Sequence, residues 1–341
     1  MLKIYKQIKS FINLNKLQKE NIDIFNNKIF NKDYKLVETK CPICSVIDNK
    51  TNDELISNTD RFGINVKNVI CKNCGLIRHY SCLDKNSLEN FYKNEYRKIY
   101  TGKTSSDLDH LNNIFVAQYE TGKKYYNLIK KFIDQKSYKN VLEVGCSCGG
   151  ILSYFQNQNF KTSGLDYDKE YLEFGKTKGL DLSFGSIEKV KDKKFDIIIL
   201  SHVFEHIPDL KEFINTISLN LNKDGIIFIA VPGVYNENYY SIRHIRYNYK
   251  KILFLYYLQN AHIYSFSKKT LSNFFKLVTK QLKIVFIDEE INCILKLNSK
   301  DENKKLKSNK NLLNDYFNFK FFYYINYLKF VLISFFFKDK S

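Results

Sequence analysis

From residue 140 to about residue 230 the chain alternates short apolar runs with amphipathic stretches, a pattern that few folds accommodate. NVLEVG reads as a strand, ILSYFQNQ as a helix, KTSGLD as a strand, KEYLEFGKTKG as a helix, and FDIIILS as a strand buried on both faces. PDLKEFINTISLNL follows as a helix with Pro208 in its first turn and Leu210, Phe213, Ile214, Ile217 and Leu221 on its buried side. Lys223, Asp224 and Gly225 then turn the chain into IIFIAVPG, another buried strand. Strands that alternate with helices imply an α/β fold, a doubly wound parallel sheet covered on both faces. The last pair, LKIVFIDEE and INCILKLN, is joined too tightly for a crossover helix and predicts an antiparallel hairpin at the sheet edge.

The first strand of this series runs into VLEVGCSCGG, residues 141–150, which spells G-x-S-x-G, the signature of a hydrolase nucleophile elbow centred on Ser147. The same glycines, with Glu143, also suit a loop that cradles a nucleotide. A hydrolase needs an oxyanion loop from an earlier strand end, then an acid and a histidine. No glycine-rich loop precedes residue 141, and no acid stands out at a late strand end ahead of His262. The nucleotide reading predicts an acidic residue closing the second strand about 20 residues on, to hold the ribose hydroxyls. Asp166 stands 23 residues after Glu143. Gly145 and Gly149 then admit the ligand to the backbone, and Ser147 is a spacer.

Two C-x-x-C pairs lie upstream: Cys41 and Cys44, then, after 26 intervening residues, Cys71 and Cys74 followed by Gly75. Four thiolates so spaced can converge on one Zn²⁺, and a site filled by four cysteines is structural because no coordination position stays open. His79 and Cys82 are alternative ligands. Neither pair precedes a helix in a βαβ unit, which argues against a redox motif. Eight cysteines in 341 residues do not describe a small disulfide scaffold, and the N-terminus lacks an apolar signal core, so a reducing cytoplasm is expected.

The net charge of +18 comes from 54 basic and 36 acidic residues, which would favour phosphate-rich partners or an anionic membrane. The basic residues are spread along the chain alongside many Asn, Ile, Phe and Tyr, a joint bias expected of an AT-rich genome, and this argues against a nucleic-acid partner. In LENFYKNEYRKIYTGK, Tyr92, Tyr96 and Tyr100 recur every four residues around Arg97, which places three rings on one helical face, either as core or as a lid over a ligand. A longer helix is expected from about Ile114 to Ile133. FFYYINYLKFVLISFFF, from Phe321 to Phe337, falls short of the roughly 20 residues of a spanning helix. A docked terminal helix, an interfacial helix touching the inner face of a membrane, and a true span stay open for it.

These motifs closely resemble those of the class I S-adenosylmethionine-dependent methyltransferases, and in particular a zinc-knuckle subgroup acting on sugars and related small molecules. The resemblance covers roughly residues 41 to 290. It implies a Rossmann-like, seven-stranded doubly wound sheet with a small N-terminal zinc-binding module. It also implies S-adenosylmethionine as cofactor, held around Glu143, Gly145, Cys146, Ser147 and Gly149, with serine in place of the family's central glycine. By the same resemblance Asp166, with Tyr167 beside it, holds the ribose; Ser186 and Ile187 contact adenine; Ser201 and His202 flank the methionine moiety and the reactive methyl. His202, Glu205 and His206 of SHVFEHIPD, with His262 of HIYSFS, are the candidate acid-base groups, since histidine titrates near neutral pH. His206 could instead cap the following helix, and Tyr264 could do the work of His262. Glu205-His206 also resembles the end of an E-x-x-E-H metal motif of ubiquinone-pathway and small-RNA methyltransferases, with His202 where the first glutamate would stand.

The expected division is an arm (1–38), a zinc module (39–84), a helical lid or linker (85–137), the methyltransferase domain (138–300) and an aromatic, basic tail (301–341). The implied reaction is methyl transfer to carbon or oxygen of a small acceptor, a nucleotide- or lipid-linked sugar of surface polysaccharide biosynthesis. Tyr92, Tyr96, Arg97, Arg243 and Tyr264 are the candidate acceptor contacts, with Tyr239, Tyr240, Arg246 and Tyr247 near Arg243. An RNA methyltransferase and an inactive cofactor-binding protein are the alternatives.

Overall fold

The computed structural model describes residues 10, 12–46, 52–104, 107–134, 137–233, 258–279 and 281–298, with Phe321, Tyr324, Ile325 and Leu328 of the C-terminal segment. Arg243 and its neighbours Tyr239, Tyr240, Arg246 and Tyr247 lie outside the described residues, as does most of the tail. Among the described residues no helix is long and apolar enough to cross a membrane.

The chain divides into two compact units. The first joins Met1–Asp84 with Pro232–Val278 and Lys304–Ser341; the second joins Lys85–Val231 with Thr279–Asn303. In chain order the first unit begins with α1 (Lys16–Phe30), set by a capping box in which Asn15 and Gln18 satisfy each other's backbone amides. Strands β1 (Leu36–Glu38), β2 (Asp53–Thr59), β3 (Asn65–Cys71), β4 (Ile77–His79) and β5 (Ser81–Leu83) follow. The second unit opens with α2 (Lys85–Asn94), α3 (Tyr96–Thr101) and α4 (Leu108–Ile129). It continues as β6 (Asn140–Val144), α5 (Gly150–Asn157), β7 (Lys161–Asp166), α6 (Lys169–Thr177), β8 (Leu182–Phe184), β9 (Phe195–Ser201), α7 (Leu210–Leu219) and β10 (Leu221–Ala230). The chain then adds β11 (Tyr264–Ser265) and α8 (Lys268–Leu277) to the first unit, and β12 (Leu282–Ile287) and β13 (Asn292–Leu297) to the second.

The second unit holds a seven-stranded sheet in the order β12-β13-β10-β9-β6-β7-β8. β8, β7, β6, β9 and β10 are parallel to one another, and β13 pairs antiparallel with both β10 and β12. The edge hairpin predicted from the short connection is present. The order reverses between β6 and β9, and in an open sheet the crevice beyond such a switch point receives the ligand. Val141, Leu142, Ile197, Ile198, Ile199 and Leu200 are fully buried, as the unbroken apolar runs of β6 and β9 require.

Three expectations about helices are corrected. The long helix starts at Leu108, because the Asp107 side chain accepts the His110 N–H at 2.9 Å and caps it there. The tyrosine-bearing stretch breaks at Glu95 into α2 and α3, although the Tyr92, Tyr96 and Tyr100 rings still form one column, with centroids 4.9 Å and 4.6 Å apart. Pro208 precedes the helix instead of lying in its first turn, since Asp209 is the cap of α7 and accepts the Glu212 N–H.

In the first unit, β11, β4, β3 and β2 form a four-stranded antiparallel sheet, and β1 pairs with β5. Cys71 ends β3, and the turn through Cys74 and Gly75 leads into β4.

Candidate active site

The loop after β6 is shaped by positions that hold left-handed backbone. Gly145 has φ +74, and a Cβ there would lie 2.4 Å from Val203 Cγ2. Gly149 has φ +78 and caps α5, with Leu180 Cδ1 2.7 Å from where its Cβ would stand. Between them Ser147 has φ +54, the conformation that a glycine adopts freely and a serine adopts at a cost. Its Oγ is buried, and among the described residues no base lies within hydrogen-bond distance of it. The partner that an elbow serine needs is not among the described residues. The Ser147 N–H donates to Asp166 Oδ2 at 2.7 Å, and Asp166 Oδ1 accepts the Asp168 N–H at 2.9 Å.

Cys146, an expected cofactor contact, turns inward. Its thiol is fully buried, its N–H goes to Leu165 O, and its carbonyl accepts from Gly149 and Gln118. Gln118 of α4 was not legible in the sequence: its Oε1 accepts the Gly150 N–H at 3.2 Å and its Nε2 reaches Cys146 O at 3.4 Å. It can do so because α4 runs hard against α5, where a Cβ on Gly150 would stand 2.3 Å from Phe115 O.

At the end of β6, Glu143 is only 1% exposed, and among the described residues neither carboxylate oxygen has a hydrogen-bond partner. Burial, reinforced by the charge of Asp166, raises its pKa well above the ordinary carboxylate value. A buried carboxyl without a donor is costly and suits a ligand that brings donors or positive charge.

At the end of β9 the Ser201 hydroxyl lies 3.0 Å from Tyr125 OH. His202 has φ +52 and anchors its N–H on Ala230 O, which leaves its ring half exposed. Glu205, buried in the short 3₁₀ turn Phe204–His206, sits between two imidazoles: Oε1 is 3.6 Å from His202 Nδ1 and 3.7 Å from His206 Nε2. His206 Nδ1 is 2.8 Å from Tyr92 OH. Burial above all, then the charges of Tyr96 and Glu205, pushes the Tyr92 phenol well above its usual range, so the hydroxyl keeps its proton and donates to Nδ1. His206 then carries its own proton on Nε2, towards Glu205. Tyr92, foreseen as an acceptor contact, is engaged with a histidine here.

Beyond β7, Arg97 Nε lies 3.4 Å from Asp168 Oδ2, and its guanidinium stacks 4.3 Å from the Tyr171 ring centroid. Burial would lower the Arg97 pKa, but the acidic groups led by Asp166 raise it. Tyr167 packs edge-on to Phe184 with centroids 5.9 Å apart, Ser186 is half-buried, and Ile187 is buried at the start of a 3₁₀ turn. Glu143, the glycine loop, Asp166, Ser201 and His202 thus stand at the carboxyl ends of β6, β7 and β9, beside the switch point.

Residues 117–278 match the family described as methyltransferase domain. That match, over just under half of the chain, makes this segment similar to a methyltransferase domain. Among similar curated proteins, the ubiquinone biosynthesis O-methyltransferase of Pelagibacter ubique is 36% identical over 117 residues, covering 30% of this chain and 48% of that protein. Its counterpart from Rickettsia prowazekii is 27% identical over 158 residues, covering 44% of this chain and 60% of its own. The chain therefore spans about half of the length of the curated relatives it matches. A solved S-adenosylmethionine-dependent methyltransferase from Clostridium acetobutylicum is 15% identical with TM-score 0.36, over 52% of this chain and 98% of that one.

Two residues expected to serve the methyltransferase site, His262 and Tyr264, belong to the first unit. His262 is half-buried and donates its N–H to Gln259 O at 3.0 Å; Tyr264 is buried in β11 opposite Arg78.

The same unit holds the four cysteines, whose buried sulfurs all lie within 4.8 Å of one another. Cys41 Sγ is 3.5 Å from Cys74 Sγ, and Cys44 Sγ is 3.6 Å from Cys71 Sγ. Four ligands at a Zn–S length of ~2.3 Å in tetrahedral geometry would stand ~3.8 Å apart, so this cluster can hold such an ion. His79 and Cys82 stay out of the cluster: His79 Nε2 faces Gln259 O at 3.1 Å, and burial pushes the Cys82 thiol up to about 11.

Proposed function

We propose that the chain transfers a methyl group from S-adenosylmethionine to a carbon or oxygen of a small acceptor. Glu143 carries this reading: a buried carboxyl whose two oxygens have no donor among the described residues, beside a loop whose Ser147 amide is fixed on Asp166. These residues fit a ligand with a ribose diol and a cationic tail. Glu143, Gly145, Ser147 and Gly149 would receive the methionine part, Asp166 and Tyr167 the ribose, and Ser186 and Ile187 the adenine. When bound, the cofactor supplies a methyl made electrophilic by a sulfonium.

The chain's own task is to align the acceptor and remove its proton. His202 is suited to the second part, because Glu205 draws its Nδ1–H inward and leaves Nε2 to take the proton. His206, held by Tyr92 and Glu205, orients the pair. The four cysteines would hold Zn²⁺ as a folding element that takes no part in the chemistry.

We place the acceptor among hydroxylated small molecules, with a nucleotide- or lipid-linked sugar as the first candidate. The relatives' names, ubiquinone biosynthesis O-methyltransferase, favour oxygen as the receiving atom. Calorimetry with S-adenosylmethionine tests the donor half: wild type binds, and Glu143→Ala together with Asp166→Ala does not. Labelled methyl incorporation into deoxysugar nucleotides, catechols and RNA then identifies the acceptor. RNA labelling alone, steeply suppressed by salt, would overturn the small-molecule reading.

A further inference from the structure

Residues 258–265 are fastened to the sheet that carries the cysteine turn by a set of bonds within one unit. Asn260 N–H donates to Asp60 Oδ2 at 2.9 Å, and Leu258 O accepts the Arg61 N–H at 2.9 Å. His79 grips the segment twice: its N–H donates to Ile263 O at 2.9 Å, and its ring Nε2 lies 3.1 Å from Gln259 O. A carbonyl only accepts, so the ring donates from Nε2–H. Tyr264 and Ser265 then pair as β11 with Arg78 and Ile77 of β4. Asp60 is fully buried, and its Oδ1 also accepts the Phe62 and Ile64 amides, each at 2.9 Å.

The strand on which this segment hangs is the continuation of the cysteine turn. Gly75 N–H bonds to Cys71 O at 2.8 Å and Cys71 N–H to Leu76 O at 3.0 Å, so the turn carrying Cys71 and Cys74 opens at once into β4, which ends at His79. Anything that fixes the four sulfurs fixes the start of β4. We infer that His79 and Asp60 are positioning residues which set the His262–Tyr264 segment, and that a metal held by Cys41, Cys44, Cys71 and Cys74 sets it through the turn into β4. This fastening lies within one unit and does not depend on the proposed function.

Hydrogen exchange on the full chain, metal-loaded and after chelation, tests this. In His79→Leu, and in wild type stripped of metal, amides of residues 258–266 should exchange about tenfold faster, as loss of a buried hydrogen bond implies. His79→Gln, which keeps a side-chain donor, should restore most of the protection. Amides of β6, β7 and β9 and the affinity for S-adenosylmethionine should stay unchanged in all three. Should His79→Leu fail to fold, Asp60→Asn serves instead: it keeps an acceptor for Phe62 and Ile64 and should loosen residues 258–260 alone. Unaltered protection of 258–266 after chelation, or a His79→Gln protein as loose as His79→Leu, would overturn the inference. Absence of cofactor binding with the exchange pattern as stated would sink the proposed function and leave this one standing.

Discussion

The Ser147 N–H donates to Asp166 Oδ2 across 2.7 Å, so the loop after β6 and the end of β7 are one hydrogen-bonded piece. Asp166 also receives the Asp168 N–H. Replacing it by alanine removes two charge-assisted acceptors together with the proposed ribose contact. Asp166→Ala should therefore lower stability by ~2 kcal/mol in urea unfolding and weaken S-adenosylmethionine about 100-fold by calorimetry. Asp166→Asn, which keeps one acceptor, should fall between. Equal affinities in all three proteins would remove Asp166 from the cofactor site.

Ser147 predicts a different outcome. As a spacer in left-handed backbone it costs about 1 kcal/mol, and glycine would relieve that strain while adding a similar entropy cost to the unfolded chain. Ser147→Gly should thus change stability by no more than ~0.5 kcal/mol and bind cofactor at least as well. Ser147→Ala should keep methyl transfer within about threefold, because the Oγ has no base beside it. A collapse of activity in the alanine variant would return this serine to the chemistry.

Gly145 tolerates no such exchange. A methyl group there meets Val203 Cγ2 at 2.4 Å, on backbone at φ +74. Gly145→Ala should destabilise by about 2 kcal/mol, the sum of overpacking and a left-handed alanine. Trimming the obstacle with Val203→Ala should recover part of the packing share and none of the backbone share. Thermal unfolding of the two single variants and the double variant measures the coupling.

The sheet was legible because its signals are local. FDIIILS and the IIFIA part of β10 are isoleucine-rich runs that must be buried, and KTSGLD and FDIIILS form strands over the very residues expected. Asp166 and the glycine loop were legible because a fixed separation along the chain implies neighbouring strand ends. Cys146 misled, since a motif gives position along the loop and not the side on which a thiol points. Gln118 could not be found at all: it caps α5 from a helix 32 residues away, and nothing in its own neighbourhood marks it. The helix break at Glu95 was equally hidden, because the tyrosine spacing continues straight through it.

The pH dependence of the reaction follows from the Glu205 carboxylate between two imidazoles. Burial alone would lower the His202 pKa, but the hydrogen bond and charge of Glu205 outweigh it and hold the ring above its ordinary 6.5. In the role proposed for His202 the neutral ring takes the proton, so kcat/KM should rise with pH through that raised value. Glu205→Gln keeps the shape and removes the charge, leaving burial to dominate; the rising limb should move to lower pH, with a plateau about tenfold lower because the ring is less firmly aimed. Stability has its own sign. A folded-state pKa above the unfolded one adds stability that is full below the unfolded pKa and is lost as pH climbs through the folded pKa. Wild type should lose that increment on moving from acid to alkaline solution, and Glu205→Gln should not. NMR titration of His202 reads the pKa directly, without an acceptor. A value that stays put or rises in Glu205→Gln would mean that Glu205 does not govern His202.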